Sequence, residues 1–85
     1  MKDKSQKIIL YATNWCYQSR NTRAFLDQHQ VDYEYIDIDK DKAGEDFVIK
    51  TNKSNRSVPT LLFPDGTTLT EPSQNELLKK LGLIE

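Results

Sequence analysis

The chain has few of the residues on which several common functions depend. It contains one cysteine, Cys16, among 85 residues, and this excludes an internal disulfide. No apolar run approaches the roughly 20 residues that span a bilayer, and the polar residues 1–7 lack the apolar core of a signal peptide. We therefore expect a cytoplasmic protein with no membrane contact, whose lone thiol stays free and reactive in a reducing compartment.

An excess of one charge is also absent. Twelve basic and thirteen acidic residues give a formal net charge of -1, and neither sign is gathered into a block. Such a surface is a poor match for a phosphate backbone or an anionic membrane, so nucleic acid is not an expected partner. The length predicts that residues 1–85 form one domain, which we expect to be a monomer.

The apolar residues change period in a regular order along the chain. Short apolar runs at residues 8–11, 33–38 and 60–63 predict strands, and the turn signal Pro64-Asp65-Gly66 leads into a fourth strand at 67–70. The run at 8–11 is unbroken, as is typical of a central strand that is buried on both faces.

Three helices are predicted between and after these strands. The inner face of the first is Ser19, Thr22, Phe25, Leu26 and His29. The second, with Asp39 or Asp41 as its cap, has the inner face Ala43, Phe47, Val48 and Thr51. The third begins at a capping box of Ser73 and Glu76, ends at Gly82, and has the inner face Leu77, Leu78, Leu81 and Ile84.

The order of these elements indicates an α/β fold. A right-handed crossover makes the first two strands parallel, and the closing hairpin adds antiparallel strands. The sequence therefore predicts β-α-β-α-β-β-α, with a mixed four-stranded sheet and helices on both faces.

Cys16 lies where the first strand gives way to the first helix. The nucleophile of thiol–disulfide exchange is the thiolate, and the unpaired amides of Tyr17, Gln18 and Ser19 at a helix start favour that anion. Arg20, one turn further on, adds positive charge. A lone cysteine is otherwise most often a small buried hydrophobe, but this position favours a reactive thiol.

The placement of Cys16, together with Val58-Pro59-Thr60 before the third strand, resembles the thioredoxin fold and the small glutaredoxins. The stretches "YATNWC" and "SVPTLLFPDGTTLTEPS" are similar to the bacterial glutaredoxin-like redoxins that include the mycoredoxins. The resemblance implies a thiol–disulfide oxidoreductase with Cys16 as nucleophile. It also implies a cis Pro59 facing Cys16, with the Val58 backbone bound to an extended thiol substrate.

Ser19 departs from the dithiol members of that family, which place a second cysteine there. A hydroxyl cannot attack a disulfide, but it can donate a hydrogen bond to the Cys16 thiolate. We therefore predict monothiol exchange, in which a low-molecular-weight thiol and protein mixed disulfides are the partners. Two origins of Ser19 stay open: a natural serine, and an engineered replacement of a resolving cysteine.

The resemblance is weakest at the residues that would select the small thiol. Glutathione-using members usually have a lysine where this chain has Thr13, and a Gly-Gly pair where it has residues 70–73. Glutathione, mycothiol and bacillithiol all stay open as co-substrates, and no bound cofactor or metal is expected. The other candidate substrate contacts are Trp15, Tyr17, Arg20, Arg56 and Ser73.

Two alternatives remain at this point. One is a binding module that keeps the fold and the proline groove without turnover. The other rests on "CYQSRNT", which is similar to the start of the cysteine-based arsenate reductases. Those enzymes carry a longer helical insertion for which 85 residues leave no room.

Overall fold

Strands and helices follow one another along the chain in the predicted order. The computed structural model describes residues 7–83. Its elements are β1 (Ile8–Ala12), α1 (Tyr17–Gln28), β2 (Tyr33–Asp37), α2 (Lys42–Thr51), β3 (Thr60–Leu62), β4 (Thr68–Thr70) and α3 (Gln74–Lys80). The predicted β-α-β-α-β-β-α architecture is therefore confirmed.

The four strands form one mixed sheet in the order β2-β1-β3-β4. β1 pairs in parallel with β2 and antiparallel with β3, so that Leu10 lies between Tyr35 and Leu61. β3 and β4 form the antiparallel hairpin that closes the sheet. As the unbroken apolar run predicts, β1 is a central strand.

Alternate residues of β1 face opposite sides of the sheet, and each side is covered by helix. Leu10 packs in a core that includes Leu26 of α1 and Leu77 of α3. Tyr11 packs on the other side with Val48 of α2, in a smaller core. The predicted arrangement of helices on both faces is confirmed, and it leaves the first turn of α1 at the end of the central strand.

The predicted inner face of α2 is wrong at its first residue. Ala43 is exposed, and Gly44 is buried in its place. A Cβ atom on Gly44 would lie 2.8 Å from Cγ2 of Ile36, so the helix contacts the sheet through its backbone at this point. Asp41 is the cap, since its carboxylate accepts the Gly44 N–H at 2.8 Å.

The prediction for the first helix is also wrong at one position. Ser19, Thr22, Phe25 and Leu26 are buried, but His29 is exposed and forms the C-cap. Its ring centroid lies 4.5 Å from that of Phe25. His29 therefore packs against Phe25 at the surface and does not enter the core.

The third helix begins and ends as predicted. Ser73 and Glu76 form the capping box, and Gly82 follows the helix with a φ of 76°, in the left-handed region that ends helices. Leu77 is its buried residue, whereas Ile84 lies outside the described residues. None of the helices within residues 7–83 has the length and apolar character to cross a membrane.

Candidate active site

Cys16 is the N-cap of α1, four residues after β1 ends. Its backbone is extended, with a φ of -80° and a ψ of 125°, and its carbonyl accepts the Arg20 N–H at 3.0 Å. The side chain is half-buried. This local geometry points the first amides of the helix toward the side of the chain on which the sulfur lies.

The pKa of the Cys16 thiol is lowered from its ordinary value by these surroundings. Burial is the largest single influence and would raise the pKa, but three groups together outweigh it. They are the Ser19 N–H, the Ser19 hydroxyl and the Gln18 N–H, while the Glu71 carboxylate acts in the opposite direction. The expectation of a lowered thiol pKa agrees with this result.

The Ser19 side chain, in the first turn of α1, is fully buried. Its hydroxyl has no hydrogen bond of regular geometry within residues 7–83, and the thiol itself forms no regular cap bond. The hydroxyl nevertheless lies close enough to the sulfur to contribute to the lowered pKa of Cys16. The unpaired hydroxyl is available to donate when the sulfur becomes an anion.

Two large aromatic side chains flank Cys16 and are mostly exposed, Trp15 at 66 % and Tyr17 at 70 %. The Trp15 indole N–H donates to Oδ2 of Asp39 at 2.7 Å. Asp39 in turn forms an ion pair with Arg56, whose Nε donates to Glu45 at 2.7 Å. A chain of polar contacts thus holds the Trp15 side chain next to Cys16.

Asp39 has a pKa below its ordinary value because it accepts hydrogen bonds from Arg56 and from Trp15. Both contacts therefore favour the carboxylate. The Arg56 guanidinium, a predicted substrate contact, already binds Asp39 and Glu45. This pairing argues against the predicted substrate contact for Arg56.

A cavity of about 140 Å³ lies beside the first two turns of α1. Its polar lining comes from Gln18, Asn21 and Thr22 on α1, and from Glu71 and Gln74 around the start of α3. Pro59 also lines it, and the Val58–Pro59 peptide bond is cis, as the resemblance implied. The loop that contains Pro59 (the proline loop) and helix α1, which Cys16 caps, therefore form two walls of one groove.

A hydrogen-bonded network holds the segment before Pro59. Asn52, at the end of α2, donates to Oγ1 of Thr60 at 3.1 Å and accepts from Oγ1 of Thr70 at 2.6 Å. Thr60 also donates to the Ser57 carbonyl at 2.9 Å. These partly buried bonds connect α2, β3 and β4 at the base of the loop.

Comparison with known proteins identifies the family. Residues 8–67 match the family model described as Glutaredoxin. The chain is a glutaredoxin-family protein. A Mycobacterium tuberculosis protein named as a glutaredoxin is 38 % identical to it over 77 residues, covering 91 % of this chain and 92 % of that protein. Mycoredoxin 1 of Corynebacterium glutamicum is 36 % identical over 77 residues, covering 91 % and 95 %.

The solved structures agree with this assignment. A mutant of a thioredoxin-like protein superposes with a TM-score of 0.81 at 28 % identity, covering 93 % of this chain and 99 % of that one. The predicted thioredoxin fold and the resemblance to glutaredoxins are therefore confirmed.

Thr13, a predicted substrate contact, is not accessible in this glutaredoxin fold. Its side chain is fully buried, and its hydroxyl has no partner within residues 7–83. A side chain enclosed at the end of β1 cannot contact a substrate that approaches from solvent. The burial argues against the predicted role of Thr13.

Ser73 is committed to the capping box. Its N–H donates to Glu76 at 2.8 Å, and its hydroxyl accepts the Glu76 N–H at 3.1 Å. The side chain therefore stabilises the start of α3, which carries the groove residue Gln74. Arg20, another predicted contact, is exposed.

The sequence reasoning missed the part that Asp39 plays in the site. The sequence predicts Asp39 only as one of two candidate caps of the second helix, yet its carboxylate binds the indole of Trp15, next to Cys16. A signal was present, because β1 and β2 are parallel and their carboxyl ends meet at one edge of the sheet. Polar residues that follow β2 therefore lie near the loop that follows β1.

The site contains no candidate metal centre in the part of the chain that the structure describes. No three His, Cys, Asp or Glu side chains among residues 7–83 are grouped to hold a metal ion.

Proposed function

We propose that this protein is a monothiol thiol–disulfide oxidoreductase in which Cys16 exchanges with mixed disulfides of a low-molecular-weight thiol. One observation carries the proposal. The only thiol of the chain caps a helix, is partly accessible, and has a lowered pKa. These are the properties of a cysteine that reacts as a thiolate at neutral pH.

The reaction has two balanced exchange steps. The Cys16 thiolate attacks one sulfur of a mixed disulfide, that S–S bond breaks, and the protein half leaves as a thiolate that takes a proton from water. A second small-thiol anion then attacks the small-thiol sulfur bound to Cys16. This step releases the Cys16 thiolate and a symmetric small-molecule disulfide, so each S–S bond that breaks is replaced by another.

The surface around Cys16 and Pro59 offers contacts for a bound disulfide. The hydrogen bonds of residues 7–83 leave the Val58 N–H and carbonyl unpaired, next to the cis Pro59. An extended substrate can pair with both groups, while exposed Trp15 and Tyr17 offer apolar surface on either side of the reacting sulfur. The cycle requires a compartment in which small thiols stay reduced, such as the cytoplasm.

Intact-protein mass spectrometry tests this cycle directly. Incubation with a small-molecule disulfide is expected to add one small-thiol mass, which excess of the same thiol then removes. A Cys16→Ser variant is the control and should gain no mass. A folded protein whose Cys16 is alkylated by iodoacetamide but forms no adduct, or never releases it, would contradict the proposal and favour a binding module.

Ser19→Cys tests whether only the resolving thiol is missing. Residues three apart at a helix start can approach the separation that a disulfide requires, so the variant should form an intramolecular disulfide. It should also reduce a protein disulfide without accumulating an adduct. The unmodified chain should instead stop as a mixed disulfide until a small thiol is added.

A further inference from the structure

The cavity between α1, Pro59 and the start of α3 lies along the helix that Cys16 caps, although Cys16 itself does not line it. Its polar lining includes the neutral amides of Gln18, Asn21 and Gln74, and its one charged lining residue is Glu71. Within residues 7–83 the Glu71 carboxylate forms neither a hydrogen bond nor an ion pair. Glu71 therefore carries the only formal charge in the lining of this cavity.

The nearest arginines of α1 do not offset this charge. A helix turns about 100° per residue, which places Arg20 and Arg23 each about 150° around the axis from the mean direction of the cavity-lining residues. The Arg23 guanidinium instead lies 4.2 Å from the centre of the Tyr35 ring. The two arginines of α1 thus lie on the side of the helix that faces away from the cavity.

The backbone holds Glu71 at the cavity wall. Its φ is 49°, in the left-handed region that side chains other than Gly, Asn and Asp rarely adopt. Its N–H donates to the Pro59 carbonyl at 2.8 Å, which ties it to the proline loop. Its carboxylate also opposes the thiolate, because it acts to raise the pKa of Cys16. A residue that costs both backbone strain and thiolate stability is a candidate for a role in substrate choice.

We propose that Glu71 makes this cavity a subsite for an ammonium group, so that Cys16 exchanges preferentially with disulfides whose small-thiol half is cationic and disfavours those that carry carboxylates. This inference rests on the proposed function, and it names the charge class of the substrate. With cystamine, for example, the Cys16 thiolate attacks one sulfur and the S–S bond breaks. One cysteamine thiolate leaves and takes a proton from water, and the ammonium of the bound half lies toward Glu71.

Three aliphatic disulfides of similar size test the subsite: cystamine, 2-hydroxyethyl disulfide and 3,3′-dithiodipropionate, which are cationic, neutral and anionic. Rates of adduct formation at Cys16 are measured by intact mass for the unmodified chain and for Glu71→Gln. The ratio of cystamine to dithiodipropionate rates is then compared between the two proteins. This double ratio cancels the intrinsic reactivity of each disulfide and any change in the thiolate fraction of Cys16.

At low ionic strength we expect the ratio of cystamine to dithiodipropionate rates to be about tenfold higher in the unmodified chain than in Glu71→Gln. This difference should shrink in 0.5 M salt, where the Debye length falls to roughly 4 Å. Glu34→Gln is the matched control, because Glu34 is exposed on β2 and does not line the cavity. Its rates should show the same charge preference as the unmodified chain. Glu71→Asn removes the same charge with a residue that tolerates the left-handed backbone, and it replaces Glu71→Gln if that variant misfolds.

The outcomes separate the two proposals. A double ratio of about one for both Glu71 variants, with Cys16 reacting with all three disulfides, would overturn the subsite and leave the exchange activity intact. Absence of reaction with every disulfide, including the neutral one, in a folded protein would instead overturn the proposed function.

Discussion

Ser19→Ala isolates the contribution of the buried hydroxyl to the Cys16 thiolate. Hydrogen bonds to charged groups contribute about 1.5–3 kcal/mol, and the irregular geometry and partial exposure of this one place it near 1 kcal/mol. A loss of that size lowers the thiolate fraction about fivefold at a pH below the pKa of Cys16. The less stabilised thiolate is a stronger nucleophile. With a Brønsted coefficient of about 0.45, the rate constant of the thiolate itself is roughly twofold higher in the variant.

Two opposite changes in alkylation rate follow. Below the pKa of Cys16, Ser19→Ala should react with iodoacetamide about two- to threefold more slowly than the unmodified chain. Well above that pKa, where both proteins are fully ionised, it should react about twofold faster. The two pH–rate profiles therefore cross, and ultraviolet titration of the thiolate should show a higher pKa for the variant.

Stability should respond with a defined sign. The pKa of Cys16 is lowered in the folded chain, so its contribution is fully present above the pKa of the unfolded thiol and is lost as pH falls through the folded value. Ser19→Ala should reduce this contribution, and denaturant unfolding at several pH values measures it.

Thr13→Val is the matched control for Ser19→Ala, because it removes a hydroxyl that is equally buried and unpaired within residues 7–83 and that does not shift the pKa of Cys16. Its pH–rate profile should follow that of the unmodified chain. Coincident profiles for Ser19→Ala and the unmodified chain over the whole pH range would refute the proposed role of the hydroxyl.

Two further changes test the surroundings of the site. Asp39→Asn removes the carboxylate that binds the indole of Trp15, the only tryptophan in the chain. The tryptophan fluorescence emission should therefore shift, and its anisotropy should fall. In the unmodified chain the same change should appear only in acid, as pH falls through the lowered pKa of Asp39. Fluorescence that is equal in both proteins at neutral pH would count against this contact. Gly44→Ala should destabilise the chain by about 1 kcal/mol, because overpacking against Ile36 costs about 1–3 kcal/mol and helix propensity returns up to about 1 kcal/mol. A denaturant midpoint at or above that of the unmodified chain would show that the sheet yields to the added methyl group.

The architecture could be predicted because local signals agreed with it. The unbroken apolar run of β1, the turn at Pro64-Asp65-Gly66 and the capping box of α3 each have a short-range physical cause. The face of α2 could not be assigned from the same reasoning. Gly44 has no side chain to add to an apolar pattern, and its burial depends on the position of Ile36 on a neighbouring strand.

The site was predictable where it depends on the start of a helix and not where it depends on distant partners. Cys16 and Ser19 are three residues apart, and their relation follows from helix geometry. The contact between Trp15 and Asp39 joins residues 24 apart, and the pairing of Arg56 depends on where α2 packs. Ion pairs and hydrogen bonds of this kind leave no periodic pattern in the sequence.

The position of Cys16 as the N-cap connects the redox state of the chain to the integrity of α1. In the thiolate form, the sulfur is an acceptor for the Gln18 and Ser19 amides, whereas in a mixed disulfide it is neutral and a weak one. These amide hydrogens should therefore exchange with solvent faster in the adduct than in the reduced protein. In the proposed cycle, release of the small thiol would restore these hydrogen bonds, so they would favour the reduced protein over the adduct.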